Sequence, residues 1–393
     1  MLFSTVVALE YIVQYHPDVE VDADVTIGDF KVSFVTQEKA RKMFKNESVK
    51  RIVKNTLKHV FIEEETQATP SSWGIDRIDS RTGLDKKYVY PASAGEGTTA
   101  YIIDTGINVE HEDFEGRATF GFDATGQGLS DGHGHGTHVA GTVAGKAYGV
   151  AKKANLVAVR VLNSQGSGDD EGIIKGLEFV VKDSKAKKTK ATINMSIGGE
   201  QTDLLDDAVN AVVAQGVVVV VAAGNESGDA CNSSPAAAWS AITVGATDRT
   251  DRAASFTNYG KCVDISGPGV GITSAWKGGS TATRTISGTS MASPHVCGVA
   301  NLYLGLGVAN VTATMLANAS ADKIKGLKSS TPNLLVFNAL KTESDDAPVD
   351  EEEQSFVPTT FNKYGSLSAP AQEDAAVHKP KYNSRYNRYR YNQ

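Results

Sequence analysis

Four runs in the middle of this chain, TTAYIID, ANLVAVRVL, KATINMSIG and GVVVVVAAG, are apolar on both faces rather than on alternate residues. A strand of that kind must be covered on both sides, and helical-period stretches such as EGIIKGLEFVVKDS and TDLLDDAVNAVVAQG lie between them. Together they predict an α/β fold with a central, mostly parallel sheet and helices on both faces. The 393 residues allow two domains, or one large domain with appendages. With 40% hydrophobic and 22% charged residues, the composition excludes collagen-like, wholly disordered and membrane-embedded classes. No segment reaches the roughly 18 uninterrupted apolar residues of a membrane span. The charge, 39 Lys plus Arg against 46 Asp plus Glu, argues against nucleic acid as the main partner.

The ends differ from the middle. Residues 1–67 contain YIVQY and FKVSF, a basic helical stretch TQEKARKMFKN and the short run VKRIV, which read as a small α+β module closed by the linker HVFIEEETQATPSS. Residues 68–340 carry nearly all the glycine. In 341–393 an acidic run, ESDDAPVDEEE, precedes a basic terminus, KPKYNSRYNRYRYNQ, and this tail reads as disordered. The start, MLFSTVVALEYIV, is broken by Glu10 and lacks a basic flank, so it makes a poor signal peptide. Three cysteines are too few for a disulfide scaffold and allow one pair and one free thiol.

Glycine, 38 residues, crowds around reactive side chains in three places. In AYIIDTG an apolar strand ends at Asp104, where open α/β sheets gather functional groups, although a cap for the next element is the plainer reading. In DGHGHGTHVAGTVAG, His133, His135 and His138 fall within six residues, a pattern that fits either a zinc-dependent hydrolase or a catalytic histidine. In SGTSMASPHVCGVANLYL, Ser290 opens an apolar helix, either as an N-cap or with its hydroxyl and N–H where the helix dipole favours an oxyanion. Acyl transfer needs a nucleophile, a base and a carboxylate that orients the base, and the three segments supply one of each.

With IIDTG, HGTHVAGT and GTSMASPHV in that order, the chain resembles the subtilisin family of serine proteases over residues 70 to 340. Within it, YGVAKKANLVAVRVL, DACNSSPA, YGKCVDISGPG and TPNLLVFN resemble the proteinase K and cerevisin branch. The resemblance implies a subtilisin-like fold and an endopeptidase working through an acyl-enzyme. Ser290 would be the nucleophile, His135 the base and then acid, Asp104 the group that fixes the imidazole, and Asn225 of VAAGN an oxyanion donor beside the Ser290 N–H. Asn225 also begins a glycosylation sequon or could be a plain turn residue. His138 and His295 become structural, while His133 stands where relatives commonly carry Asn. A catalytically inactive homologue is the remaining alternative.

The resemblance further implies that a peptide adds as a strand beside Ser196, Ile197, Gly198 and Gly199. The pocket for the residue before the cut would lie between Ser196–Gly198 and Ala222, Ala223 and Gly224. Neither wall holds an acidic residue, which predicts an apolar or aromatic preference and broad specificity. Residues 1–67 resemble a shortened propeptide, an intramolecular inhibitor released by autocleavage between Glu65 and Pro70. The chemistry needs no cofactor; a structural calcium is expected on Asp264 with the carbonyls of Trp239 and Ala241. Cys231 and Cys262 recur together in cerevisin-like sequences, leaving Cys297 as a buried thiol. A monomer acting on peptide substrates, with neither nucleic acid nor a membrane span, and a secretory route to the exterior or a vacuole complete the expectation; Asn232, Asn310 and Asn318 lie in sequons.

Overall fold

A computed structural model of the chain describes residues 11–27, 30–43, 45–54, 64–128 and 130–339. The expected polar tail and the linker residues 55–63 lie outside these. The chain divides into a smaller unit, described over residues 11–54, and a larger one, described over 64–339.

In the smaller unit Tyr11–Tyr15 lies between Phe30–Val35 and Val49–Lys54, with Val25–Ile27 beyond Phe30–Val35, all antiparallel. The helix Gln37–Met43 covers one face. Val13 and Tyr15, two residues apart and therefore on the same face, meet Val35 and Ala40 in a small core. The α+β reading of this segment holds.

The larger unit is built on a nine-stranded sheet. From edge to edge its strands are Ser320–Ala321, Leu334–Leu335, Ile265–Pro268, Ile242–Thr247, Val218–Ala222, Lys190–Met195, Thr98–Asp104, Asn155–Arg160 and Ala118–Asp123. All neighbours are parallel except the pair Ser320–Ala321 and Leu334–Leu335. Each two-sided run divides its residues between two cores. Ala100, Ile102, Leu156, Ala158 and Val220 face the helices His135–Ala144 and Thr289–Gly305, while Tyr101, Ile103, Val157, Val159, Val219 and Val221 face Asp170–Lys187 and Asp203–Ala214. At about 1.5–3 kcal/mol for each large apolar side chain taken from water, these two layers dominate the cohesion of the unit.

The chain builds outward from Thr98–Asp104 on one side and then returns to lay down Lys190–Met195 on the other. Loops after adjacent strands therefore diverge at the carboxyl end of Thr98–Asp104, and a crevice opens there. The larger unit also begins earlier than the boundary expected at residue 68. Glu64–Ala68 is a strand, paired antiparallel with Lys87–Pro91 at five positions, and Gln67 Nε2 donates to the Ala147 carbonyl.

Candidate active site

Asp104 ends the central strand fully buried. A carboxylate there is tolerable only if it is paired and hydrogen-bonded. Its Oδ1 accepts the Thr105 N–H at 2.7 Å, and both oxygens stand 2.8 Å from Nδ1 of His135, the first residue of the helix His135–Ala144. Burial disfavours the imidazolium, but the Asp104 charge and hydrogen bond outweigh it, with Asp131 adding to them, so His135 titrates above an ordinary histidine. With Nδ1–H committed to Asp104, Nε2 carries the free lone pair.

The histidine loop is held by a residue that the sequence reading passed over. Asp131 is buried; its Oδ1 accepts from the Thr105 hydroxyl and from the N–H groups of His133 and Gly134, and its Oδ2 accepts from the N–H and hydroxyl of Thr137. Its sequence signal is an Asp-Gly turn ahead of a helix, which does not distinguish it from any other cap. Gly136 follows from the same closeness, because a Cβ there would collide with the Gly106 carbonyl oxygen and press on Asp104.

The other histidines have separate duties. His138 is buried with Nε2 against the carbonyls of Ile272 and Arg284, and burial drives it down to about 4. His295, likewise held near 4 by burial, bonds to the Met291 carbonyl from Nδ1. The zinc reading of His133, His135 and His138 is corrected by this arrangement. His138 spends Nε2 on carbonyls, His135 spends Nδ1 on Asp104, and among the described residues the three do not bring ligand atoms within 4.8 Å of one another.

Ser290 is the second residue of the helix Thr289–Gly305, so its N–H has no acceptor within the helix. Its hydroxyl donates to the Ser196 carbonyl at 3.2 Å, and Ser196 Oγ donates back to the Ser290 carbonyl at 2.8 Å. The hydroxyl therefore points at Ser196 rather than at His135 in this state. Asn225 is exposed. Its Oδ1 accepts the Thr289 N–H at 2.8 Å and the Thr289 hydroxyl at 3.1 Å. A backbone N–H can pair only with the amide oxygen, which fixes the amide's orientation and turns Nδ2 away from Thr289. The Ser290 N–H is thus without an acceptor in its helix, and the Asn225 amide presents Nδ2 away from Thr289.

His135 and Ser196 line a groove of about 590 Å³ together with Ile197, Gly198, Gly199 and His133. A Cβ at Gly198 or Gly199 would meet nothing within 4 Å, so an incoming backbone can lie directly against them. Residues Gln165, Gly166, Ser167 and Gly168 form a second wall, unrecognised in the sequence because SQGSG reads as an ordinary loop. Asp170 and Glu200 also line the groove. Ala222, Ala223 and Gly224 do not line it: the first two are buried, and Gly224 reaches the site through its N–H, which donates to Thr289 Oγ1.

Cys231 and Cys262 form a disulfide, and Cys297 is a buried thiol that desolvation pushes up to about 12. The half-buried Asp264 has the Thr243 N–H as its bonded donor, and desolvation raises it to about 6. Such an undercompensated carboxylate suits a hard cation. Asp76, Asp79 and Asp85 form a second acidic group, with one oxygen from each within 4.8 Å of the others. No helix among the described residues is long and apolar enough to cross a membrane.

The family model described as the Subtilase family, Peptidase S8, matches residues 95–365. The subtilase-type proteinase psp3 of Schizosaccharomyces pombe is 50% identical over 70% of this chain and 63% of its own length. The chain thus spans under two thirds of that relative. The subtilisin-like serine protease Rho m 2.0101 of Rhodotorula mucilaginosa is 46% identical over 73% of this chain and 91% of its own length. A crystal structure of a cold-adapted subtilisin-like serine proteinase superposes with a TM-score of 0.65 at 44% identity, covering 68% of this chain and 98% of that one.

The Asp104–His135 pair yields a direct expectation. An NMR titration of a Ser290→Ala protein should place the His135 midpoint above the ordinary histidine value of about 6.5. Adding Asp104→Asn removes the charge while burial remains, so the midpoint should fall. An unchanged midpoint would show that Asp104 does not govern the ring.

Proposed function

The chain belongs to the subtilase family, and from that premise we propose that it is a serine endopeptidase made as a zymogen. The observation that carries the reading is the buried Asp104–His135 pair, facing the same groove as Ser196, whose carbonyl holds the Ser290 hydroxyl. On substrate binding the Ser290 hydroxyl turns to His135 Nε2, which takes its proton as Oγ attacks the carbonyl carbon. The C–O bond forms, the carbonyl electrons move to oxygen, and the Ser290 N–H and Asn225 Nδ2 receive the oxyanion. His135 then protonates the departing amine, and water reverses the sequence to release the acyl group. Asp104 keeps its charge throughout and stabilises the imidazolium.

The substrate lies as an extended strand beside Ser196–Gly199, bound through main-chain hydrogen bonds and hence with broad specificity. Of the two walls expected from the sequence only Ser196–Gly198 lines the groove, and it carries no charge, so the residue before the cut is apolar or aromatic, with Asp170 and Glu200 lining other parts of the groove. In a series of otherwise identical peptides, kcat/KM should be highest with Phe or Leu at that position and lower with Arg or Glu; a strong Arg preference would sink the proposal.

Residues ahead of the larger unit act as propeptide and inhibitor. A cut between Glu65 and Pro70 would divide or strip a strand with five paired positions, so the favoured cut lies ahead of Glu64. Ser290→Ala should leave the chain uncut, and N-terminal sequencing of active protein should find a start at or before Glu64. Normal processing of the variant would refute autocatalysis. The Cys231–Cys262 disulfide supports a secretory route, since such bonds persist in oxidising compartments. The mature enzyme acts as a monomer.

Asp264, with the carbonyls of Trp239 and Ala241, would hold a calcium ion that stabilises the fold and takes no part in the chemistry. Because the ion needs the carboxylate ionised and Asp264 sits near 6, calcium should raise Tm at pH 8 and lose that effect as pH falls through about 6. Asp264→Asn should abolish the calcium response; an undiminished response would move the ion elsewhere.

A further inference from the structure

The loop from Ala223 to Gly228, which carries Asn225, has neither helix nor strand to hold it. Five of its hydrogen bonds go to Asn258, a residue only 2% exposed, while Ser227 bonds instead to Ser255, Phe256 and Lys328. Asn258 Oδ1 accepts the N–H groups of Glu226 at 3.0 Å and Gly228 at 2.9 Å. Its Nδ2 donates to the Ala223 carbonyl at 2.9 Å and to Glu226 Oε2 at 2.8 Å, and its own N–H donates to the Gly224 carbonyl at 3.0 Å. Every donor and acceptor of the amide is in use. Gly224 adopts φ +100°, and a Cβ there would run into the Asn258 amide, so the loop is pressed onto it. The peptide groups on both sides of Asn225 are therefore tied to one buried residue, the Gly224 carbonyl by the Asn258 backbone N–H and the Glu226 N–H by its side chain, while the exposed Asn225 side chain bonds to Thr289.

We propose that Asn258 is a positioning residue for catalysis. It holds the Asn225 amide where the oxyanion will develop, without touching substrate. This rests on the reading of Asn225 as an oxyanion donor. Such donors accelerate a reaction because they are already in place when charge appears. A loosened loop must be ordered at the transition state, which lowers kcat and leaves ground-state binding alone.

Asn258→Asp tests this. The new carboxylate still offers an acceptor to Glu226 and Gly228, but it loses the donor and faces Glu226 Oε2 with like charge. On a peptide anilide, kcat should fall on the order of tenfold with KM within about twofold, a part of what losing one oxyanion donor costs. Glu226→Gln in the same chain supplies a donor to the new oxygen and should restore most of kcat. In an Asn225→Ala background, Asn258→Asp should add almost nothing. An unchanged kcat, a rise in KM alone, no rescue by Glu226→Gln, or an equal loss without Asn225 would each overturn the proposal. If Asn258→Asp fails to fold, Glu226→Ala at an exposed position removes one acceptor of the amide and must lower kcat by a smaller factor; no change overturns the proposal equally. Asn225→Ala alone separates the two readings. If it leaves kcat intact, the oxyanion assignment fails and the positioning role falls with it. If it lowers kcat while Asn258→Asp does not, the positioning role alone fails.

Discussion

A carboxylate with no access to water governs the site. Asp104 closes the central strand at zero exposure, and an ion so placed costs several kcal/mol unless its neighbours replace the lost hydration. One backbone N–H and one imidazole do so. The histidine loop must then descend onto the strand end, which leaves no room for a side chain at Gly136 and requires Asp131 to gather the loop's N–H groups. The polarised His135 follows from that demand. Its high titration point follows as well, because removal of its charge would leave Asp104 uncompensated.

The second half of the site arrives from far along the chain. The helix Thr289–Gly305 packs against the same face of the sheet as the histidine helix, through Met291, Ala292, Val296, Val299 and Ala300. Its first turn is thereby fixed where Ser196 follows the strand Lys190–Met195 and where the Asn225 loop comes down. Thr289 is the joint: its hydroxyl donates to Asn225 and accepts from the Gly224 N–H. Packing that buries the helix on every side from Met291 to Tyr303 so determines where the Ser290 hydroxyl stands.

The parts legible in the sequence are those written locally. Two-sided apolar runs announced the parallel sheet, and the three glycine-rich segments marked Asp104, His135 and Ser290 as candidates, of which the first two are hydrogen-bonded to each other, because each segment consists of neighbours in the chain. What was missed depends on distant partners. Asn258 sits in SFTNYG, 30 to 35 residues from the loop it holds, and looks like any turn residue. The strand Glu64–Ala68 has no apolar alternation and is mostly exposed, so it reads as linker until KYVYP pairs with it. The three histidines misled in the opposite direction. Sequence proximity suggested one metal, whereas helix geometry and packing sent His138 to the carbonyls of Ile272 and Arg284.

The central claim is that Ser290 is a nucleophile activated by His135. It is tested most directly by reacting the mature protein with a fluorophosphonate and locating the adduct by mass spectrometry. The account predicts a single covalent adduct on Ser290, formed at a rate that collapses in His135→Ala, with peptide hydrolysis lost in proportion to labelling. Labelling elsewhere, or peptide hydrolysis that survives complete modification of Ser290, would contradict it.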